Sequence, residues 1–183
     1  MNKKMFPCVH FKLLFVPQWD GFLLNYFDRQ KTYFAKLLKE IVEIMHGSRT
    51  LLIFLHGATS SGIELRQYLS LIPIDKKGNT FMDELGLSNI DILTPTSTAI
   101  PYAPNMGIAT NVWYNRDENF QSAGLDDTSP EDTSGIDASL DRILELLQST
   151  LQSNLNQPYH HVFIGGFSMG GGLTLNILSR IVE

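Results

Sequence analysis

The run Gly165-Gly166-Phe167-Ser168-Met169-Gly170-Gly171 constrains this chain more than any other segment. It follows Val162-Phe163-Ile164, a short apolar stretch that reads as a buried strand, and it opens a helical pattern with Leu173, Ile177, Leu178 and Ile181 on one side. A strand that turns at once into a helix drives its backbone through a crowded corner, and glycines leave room for that close approach. Gly166-Phe167-Ser168-Met169-Gly170 matches G-x-S-x-G. The pattern is weak alone, because glycine and serine are common. A strand before it and a helix after it are the setting of a nucleophile elbow. The bland alternative is a glycine-rich turn with an idle serine. A phosphate loop would want its lysine or a G-x-G-x-x-G run, and neither stands here.

A serine on such a corner holds a strained backbone and presents its hydroxyl at the C-terminal edge of the sheet. The helix N-terminus behind it favours developing negative charge. The backbone N–H of Met169 is then placed to donate to the oxyanion of an acyl-transfer intermediate. A second donor is expected from the loop after an earlier strand. Thr50-Leu51-Leu52-Ile53-Phe54-Leu55 is a continuous apolar run, as in a parallel strand covered on both faces, and His56-Gly57-Ala58-Thr59-Ser60-Ser61-Gly62 follows it. The N–H of Ala58 is the candidate. His56 has two readings, one ordering its own loop by hydrogen bonding and one catalytic.

The remaining pattern alternates strand and helix. Phe34, Leu37, Leu38, Ile41 and Met45 predict a helix over Thr32–His46, with a stop at Gly47, and Leu65, Leu69 and Ile72 predict another over Ile63–Ile72. Ile90–Leu93 reads as a strand running into a proline-punctuated loop through Pro95, Pro101 and Pro104. An acidic surface segment spans Asp117–Asp132. Ser129 and Pro130 resemble a helix start that Gly135 interrupts. The helix beyond is amphipathic, with Ile136, Leu140, Ile143, Leu144, Leu147 and Leu151 on one face. Residues 1–30 are aromatic-rich and poorly patterned. Together these elements predict an α/β fold with a mostly parallel sheet flanked by helices.

With 183 residues, 43% of them hydrophobic and 18% charged, the chain can bury a core. A net charge of −5 argues against general nucleic-acid binding. Cys8 is the sole cysteine, so no internal disulfide forms. No apolar run approaches the roughly 20 residues of a membrane span, so stable insertion is not expected. Lys3 and Lys4 precede a hydrophobic stretch from Met5 to Phe15, but His10 and Lys12 interrupt it and no small-residue cleavage site follows. A cytoplasmic location is expected, with no cofactor and no metal. The oligomeric state stays open.

Three segments carry a family resemblance. Leu52-Ile53-Phe54-Leu55-His56-Gly57, then Pro95-Thr96 with Asn111-Val112-Trp113-Tyr114-Asn115-Arg116, then Ile164-Gly165-Gly166-Phe167-Ser168-Met169-Gly170-Gly171 resemble the acyl-protein thioesterase and lysophospholipase-like family, nearest its lysophospholipase-like branch. The likeness covers about residues 48–183, a partial α/β-hydrolase domain, and leaves residues 1–47 as an extension of unknown role. It implies an α/β-hydrolase fold and serine hydrolysis of acyl thioesters or carboxylic esters, with acylated proteins or lipid esters as substrates. It also implies that the middle segment shapes the acyl-binding surface. Trp113 is then either a substrate-binding residue on that surface or a buried core tryptophan. The family usually has Trp-Phe-Asp where this chain has Trp113-Tyr114-Asn115, and it opens with a β-hairpin rather than a helix.

The largest departure follows Ser168. In α/β-hydrolases an Asp or Glu and then a His come after the serine. Here no histidine or aspartate does, and the one carboxylate is Glu183. The fold is therefore expected to be incomplete at its C-terminus. His160 and His161 precede the strand leading to Ser168, which puts them about 16–20 Å away at the wrong end of the sheet. The strand at Val162–Ile164 is expected to leave an open outer edge. Three readings compete: an acyl thioesterase or esterase represented by a truncated chain, a non-catalytic binder of acylated partners, and a different serine hydrolase on the same fold.

Overall fold

A computed structural model describes residues 10–16, 48–73, 75, 77–87, 89–116 and 132–182. The expected helix at Thr32–His46, residues 117–131 with Ser129 and Pro130, and Glu183 lie outside the described residues. The elements in chain order are β1 (His10–Val16), β2 (Thr50–Leu55), α1 (Gly62–Leu69), α2 (Phe81–Leu87), β3 (Ile90–Leu93), β4 (Ala99–Tyr102), β5 (Ile108–Asn111), α3 (Thr133–Ser153), β6 (His161–Phe167) and α4 (Met169–Val182).

Four strands form one sheet in the order β1-β6-β2-β3, and every pairing is parallel. The unbroken apolar run of β2 follows from this position. Leu51, Ile53 and Leu55 point to one face, where Val162 and Ile164 of β6 meet Ile136, Leu140, Ile143 and Leu147 of α3 and Leu173 and Ile177 of α4. Leu52 and Phe54 point to the other, against Leu65 and Leu69 of α1, Phe81, Leu85, Ile90 and Phe163. A strand covered on both sides needs no polar alternation. Each such side chain contributes about 1.5–3 kcal/mol relative to leaving it exposed.

Several expectations need correction. The outer edge of β6 is not open: β1 pairs along it from His10↔His161 to Val16↔Phe167. The stretch in which His10 and Lys12 broke the apolar pattern is a strand at the margin of the sheet. The proline-punctuated loop contains an antiparallel hairpin, β4–β5, with Pro101 opposite Ala109. A two-stranded ribbon tolerates a proline wherever the missing N–H would face outward. Helix α3 starts at Thr133, and its cap is Asp132, whose carboxylate accepts from the N–H of Gly135 at 2.9 Å. Gly135 does not interrupt this helix. A Cβ there would stand 2.1 Å from the Asp132 carboxylate, so glycine is what allows the carboxylate to fold back over the first turn.

At the N-terminal ends of the strands a polar lock joins β2, β3 and β6. Arg49 donates to Asp91 at 2.9 Å and to Asn154 at 3.0 Å, and its guanidinium lies 4.3 Å from the Tyr159 ring centre. Tyr159 donates to the same Asp91 oxygen at 2.7 Å. Burial, then the Asp91 carboxylate, pushes the Tyr159 hydroxyl up to about 12.

Candidate active site

The opposite end of the sheet carries the corner at Ser168. Strand β6 ends at Phe167 and α4 begins at Met169, so Ser168 alone makes the turn, with φ at 55°. That left-handed conformation costs a non-glycine residue roughly 1–2 kcal/mol. Its neighbours explain how the corner closes. A Cβ on Gly166 would lie 2.3 Å from the Gly170 carbonyl, and one on Gly170 would lie 2.5 Å from the carbonyl oxygens of both Leu55 and His56. The first turn of α4 is thus pressed against the end of β2. The Gly172 N–H donates to the Ser168 carbonyl at 3.1 Å as the helix starts.

The loop after β2 comes to the same place. A Cβ on Gly57 would stand 3.3 Å from the Ser168 Cβ and 3.1 Å from the Phe167 ring. Ala58 follows, partly buried against the core. The Thr59 N–H donates to the Asn111 carbonyl at 3.0 Å, which ties the loop to the end of β5. Gly62 starts α1, and its N–H donates to Thr96 Oγ1 at 3.0 Å. A Cβ there would reach 1.8 Å from the Thr94 carbonyl, so only glycine fits between the two loops. Nothing in the sequence marked Gly62 for that role.

His56 is fully buried, and both ring nitrogens are engaged. Nε2 accepts from the Ser97 N–H at 3.0 Å, so the proton sits on Nδ1 and is donated to the Gly57 carbonyl at 2.6 Å. Burial pushes its charged form down from the ordinary histidine value, outweighing the Gly57 carbonyl and the Glu64 carboxylate. Of the two sequence readings, this is the loop-ordering one. Trp113 is 2% exposed. Its ring lies 4.9 Å from the His56 ring, and its indole N–H donates to the His56 carbonyl at 2.8 Å. Contact with a substrate would require the ring to leave this packing. Sequence reasoning missed Ser97, which no local pattern distinguishes. It also missed Arg142 of α3, which holds that loop by donating to Thr98 Oγ1 at 2.7 Å and to the Thr96 carbonyl at 2.9 Å.

The structure therefore brings Ser168, Met169, Gly166, Gly170, His56, Gly57, Ala58 and Trp113 together. It does not bring the remaining described histidines. His161 pairs with Thr50 and His10 at the far end of β6, and His160 precedes it. Seven extended residues at about 3.3 Å each separate His161 from Ser168 by roughly 20 Å. No group of three His, Cys, Asp or Glu among the described residues could hold a metal ion. No helix among them is long and apolar enough to cross a membrane.

Comparison with known proteins gives this arrangement a context. Residues 38–180 match the profile of the phospholipase/carboxylesterase family. Lysophospholipase-like protein 1 of Mus musculus is 28% identical over 129 residues, covering 70% of this chain and 47% of that protein. Acyl-protein thioesterase 1 homolog 2 of Dictyostelium discoideum is 28% identical over 127 residues, covering 67% and 48%. The crystal structure of Zea mays acyl-protein thioesterase 2 shares the fold, with a TM-score of 0.52 at 24% identity over 73% of this chain and 47% of that one. The chain spans about half the length of the curated relatives it matches.

Proposed function

We propose, because this chain belongs to the phospholipase/carboxylesterase family of α/β-hydrolases, that Ser168 is the nucleophile of a site for acyl thioesters or carboxylic esters, as on acylated proteins or lipids. The observation that carries this reading is the corner itself. Ser168 stands at φ 55°, glycines on either side permit the contact with β2, and Gly57 is packed against the Ser168 side chain. In the reaction Ser168 Oγ attacks the acyl carbonyl as its proton passes to a base, which returns it to the leaving thiol or alcohol. The carbonyl oxygen becomes an oxyanion that accepts from the backbone N–H groups of Ala58 and Met169. Collapse expels a thiol or alcohol, which takes up a proton and leaves an acyl-serine. Water then attacks that ester and frees the acid.

The attack needs a proton acceptor. His56 cannot serve while both of its nitrogens are engaged, and His160 and His161 are at the other end of β6. Loss of a triad member costs on the order of 10⁴–10⁶ in turnover. Among the described residues no histidine is free to take the Ser168 proton, which favours a second reading for these residues alone, in which the site binds acylated partners without turning them over. The purified 183-residue chain is expected to hydrolyse a thioester or a nitrophenyl ester negligibly. It is expected to react slowly at Ser168 with a fluorophosphonate. Robust turnover that disappears in Ser168→Ala would overturn the first expectation. Labelling elsewhere, and none at Ser168, would overturn the nucleophile assignment.

A further inference from the structure

We propose that Trp113, acting through His56, is a positioning residue that sets the direction of the Ala58 N–H, the oxyanion donor that the loop after β2 offers beside Ser168. The proposal rests on the acyl-transfer reading of Ser168 for its functional meaning, but its geometry stands apart from it.

In a trans peptide the C=O of one residue and the N–H of the next point in opposite directions, so fixing a carbonyl also fixes the following N–H. Two consecutive carbonyls of the loop after β2 are held. The His56 carbonyl receives the indole N–H of Trp113 at 2.8 Å. The Gly57 carbonyl faces Nδ1 of His56 at 2.6 Å. The N–H groups of Gly57 and Ala58 are thereby turned away from the Trp113 and His56 rings. Gly57 itself is packed against the Ser168 side chain.

His56 can hold the Gly57 carbonyl only as the Nδ1–H tautomer, and the Ser97 N–H at Nε2 enforces that tautomer. Trp113 secures the imidazole from another direction, its ring 4.9 Å away and tilted by 34°. A buried imidazole with both nitrogens satisfied has little freedom to rotate, because any other pose would leave a buried polar group without its partner. The Trp113 side chain therefore supplies one N–H as well as its bulk. Phenylalanine would fill much of the same space without that donor.

The test compares the full 183-residue chain with its Trp113→Phe variant. Nitrogen NMR of the imidazoles is expected to show His56 with its proton on Nδ1 and a bare Nε2. In Trp113→Phe the N–H directions of the Gly57 and Ala58 amides, read from residual dipolar couplings, are expected to turn, while those of the middle of α3 stay. The second-order rate of fluorophosphonate labelling at Ser168 is expected to fall roughly tenfold to a hundredfold, the scale of a misplaced catalytic group. A merely structural tryptophan would instead lower thermal stability and leave the two amides and the rate per folded molecule unchanged. That result, or a proton on Nε2, overturns the proposal. If the parent chain does not label at all, the acyl-transfer reading fails, while the clamp is still decided by the two amides and the tautomer.

Discussion

Ser168 shows how a single residue can be held against its own preference. Its left-handed backbone is the kind glycine adopts freely, and the surrounding contacts keep it there. Ser168→Gly is expected to raise stability by about 1 kcal/mol, read as a higher urea midpoint, while abolishing any labelling at this position. His56 makes a different prediction. Its folded pKa lies below its unfolded value, so the unfolded chain binds the extra proton as pH falls. The contribution of neutral His56 is complete above about pH 6.5 and is lost as pH drops through the unfolded value toward the depressed one. Urea midpoints measured from pH 7.5 down to pH 5 are expected to fall more steeply for the parent chain than for His56→Asn. The tight corner at Ser168, with its glycines, was legible in the sequence because it is a local pattern. The tautomer of His56 was not, because its partner Ser97 lies on the far side of α1, α2 and β3.

At the level of elements, α3 depends on a cap that reaches across the chain. The Asp132 carboxylate accepts from the N–H groups of Gly135 at 2.9 Å and Asn115 at 2.8 Å, and from the Ser134 hydroxyl at 3.0 Å. These bonds, the Asn115 N–H first, hold its carboxyl below the usual carboxylate range. One side chain thus starts the helix and anchors the segment that carries Trp113. Asp132→Ala is expected to cost about 1–2 kcal/mol, measured by urea unfolding, since caps of this kind contribute that much. The apolar face of α3 was readable from its spacing, and so was the buried run of β2. The cap was not, because the partner that distinguishes Asp132 is Asn115, in an earlier segment of the chain. The β4–β5 hairpin was hidden behind Pro101 and Pro104. Its turn passes through Met106 at φ 53° and Gly107 at φ 73°, and a methionine there does not announce a left-handed residue.

For the molecule as a whole, the outer edge of β6 is occupied by β1. A chain lacking residues 1–16 would leave seven residues of β6 without a neighbour on that side. It is expected to lose solubility and to unfold at lower urea, as seen by sedimentation and by a denaturation curve, because an unpaired apolar edge recruits other strands. Sequence patterning identified the parallel sheet and its central strands, whose side chains are buried on both faces. It could not identify a marginal strand, where one side of the pattern is relaxed and a histidine and a lysine are tolerated. The same pairing has a consequence for how the chain reaches its fold. Strands β2 and β3 meet over about 40 residues of chain, whereas His10 finds His161 across about 150. Closing so long a loop carries an entropic cost that is recovered only once β6 is in place. On a ribosome, β1 emerges well before β6 and must wait for the intervening chain, so of the described strands the one made earliest pairs with the one made last.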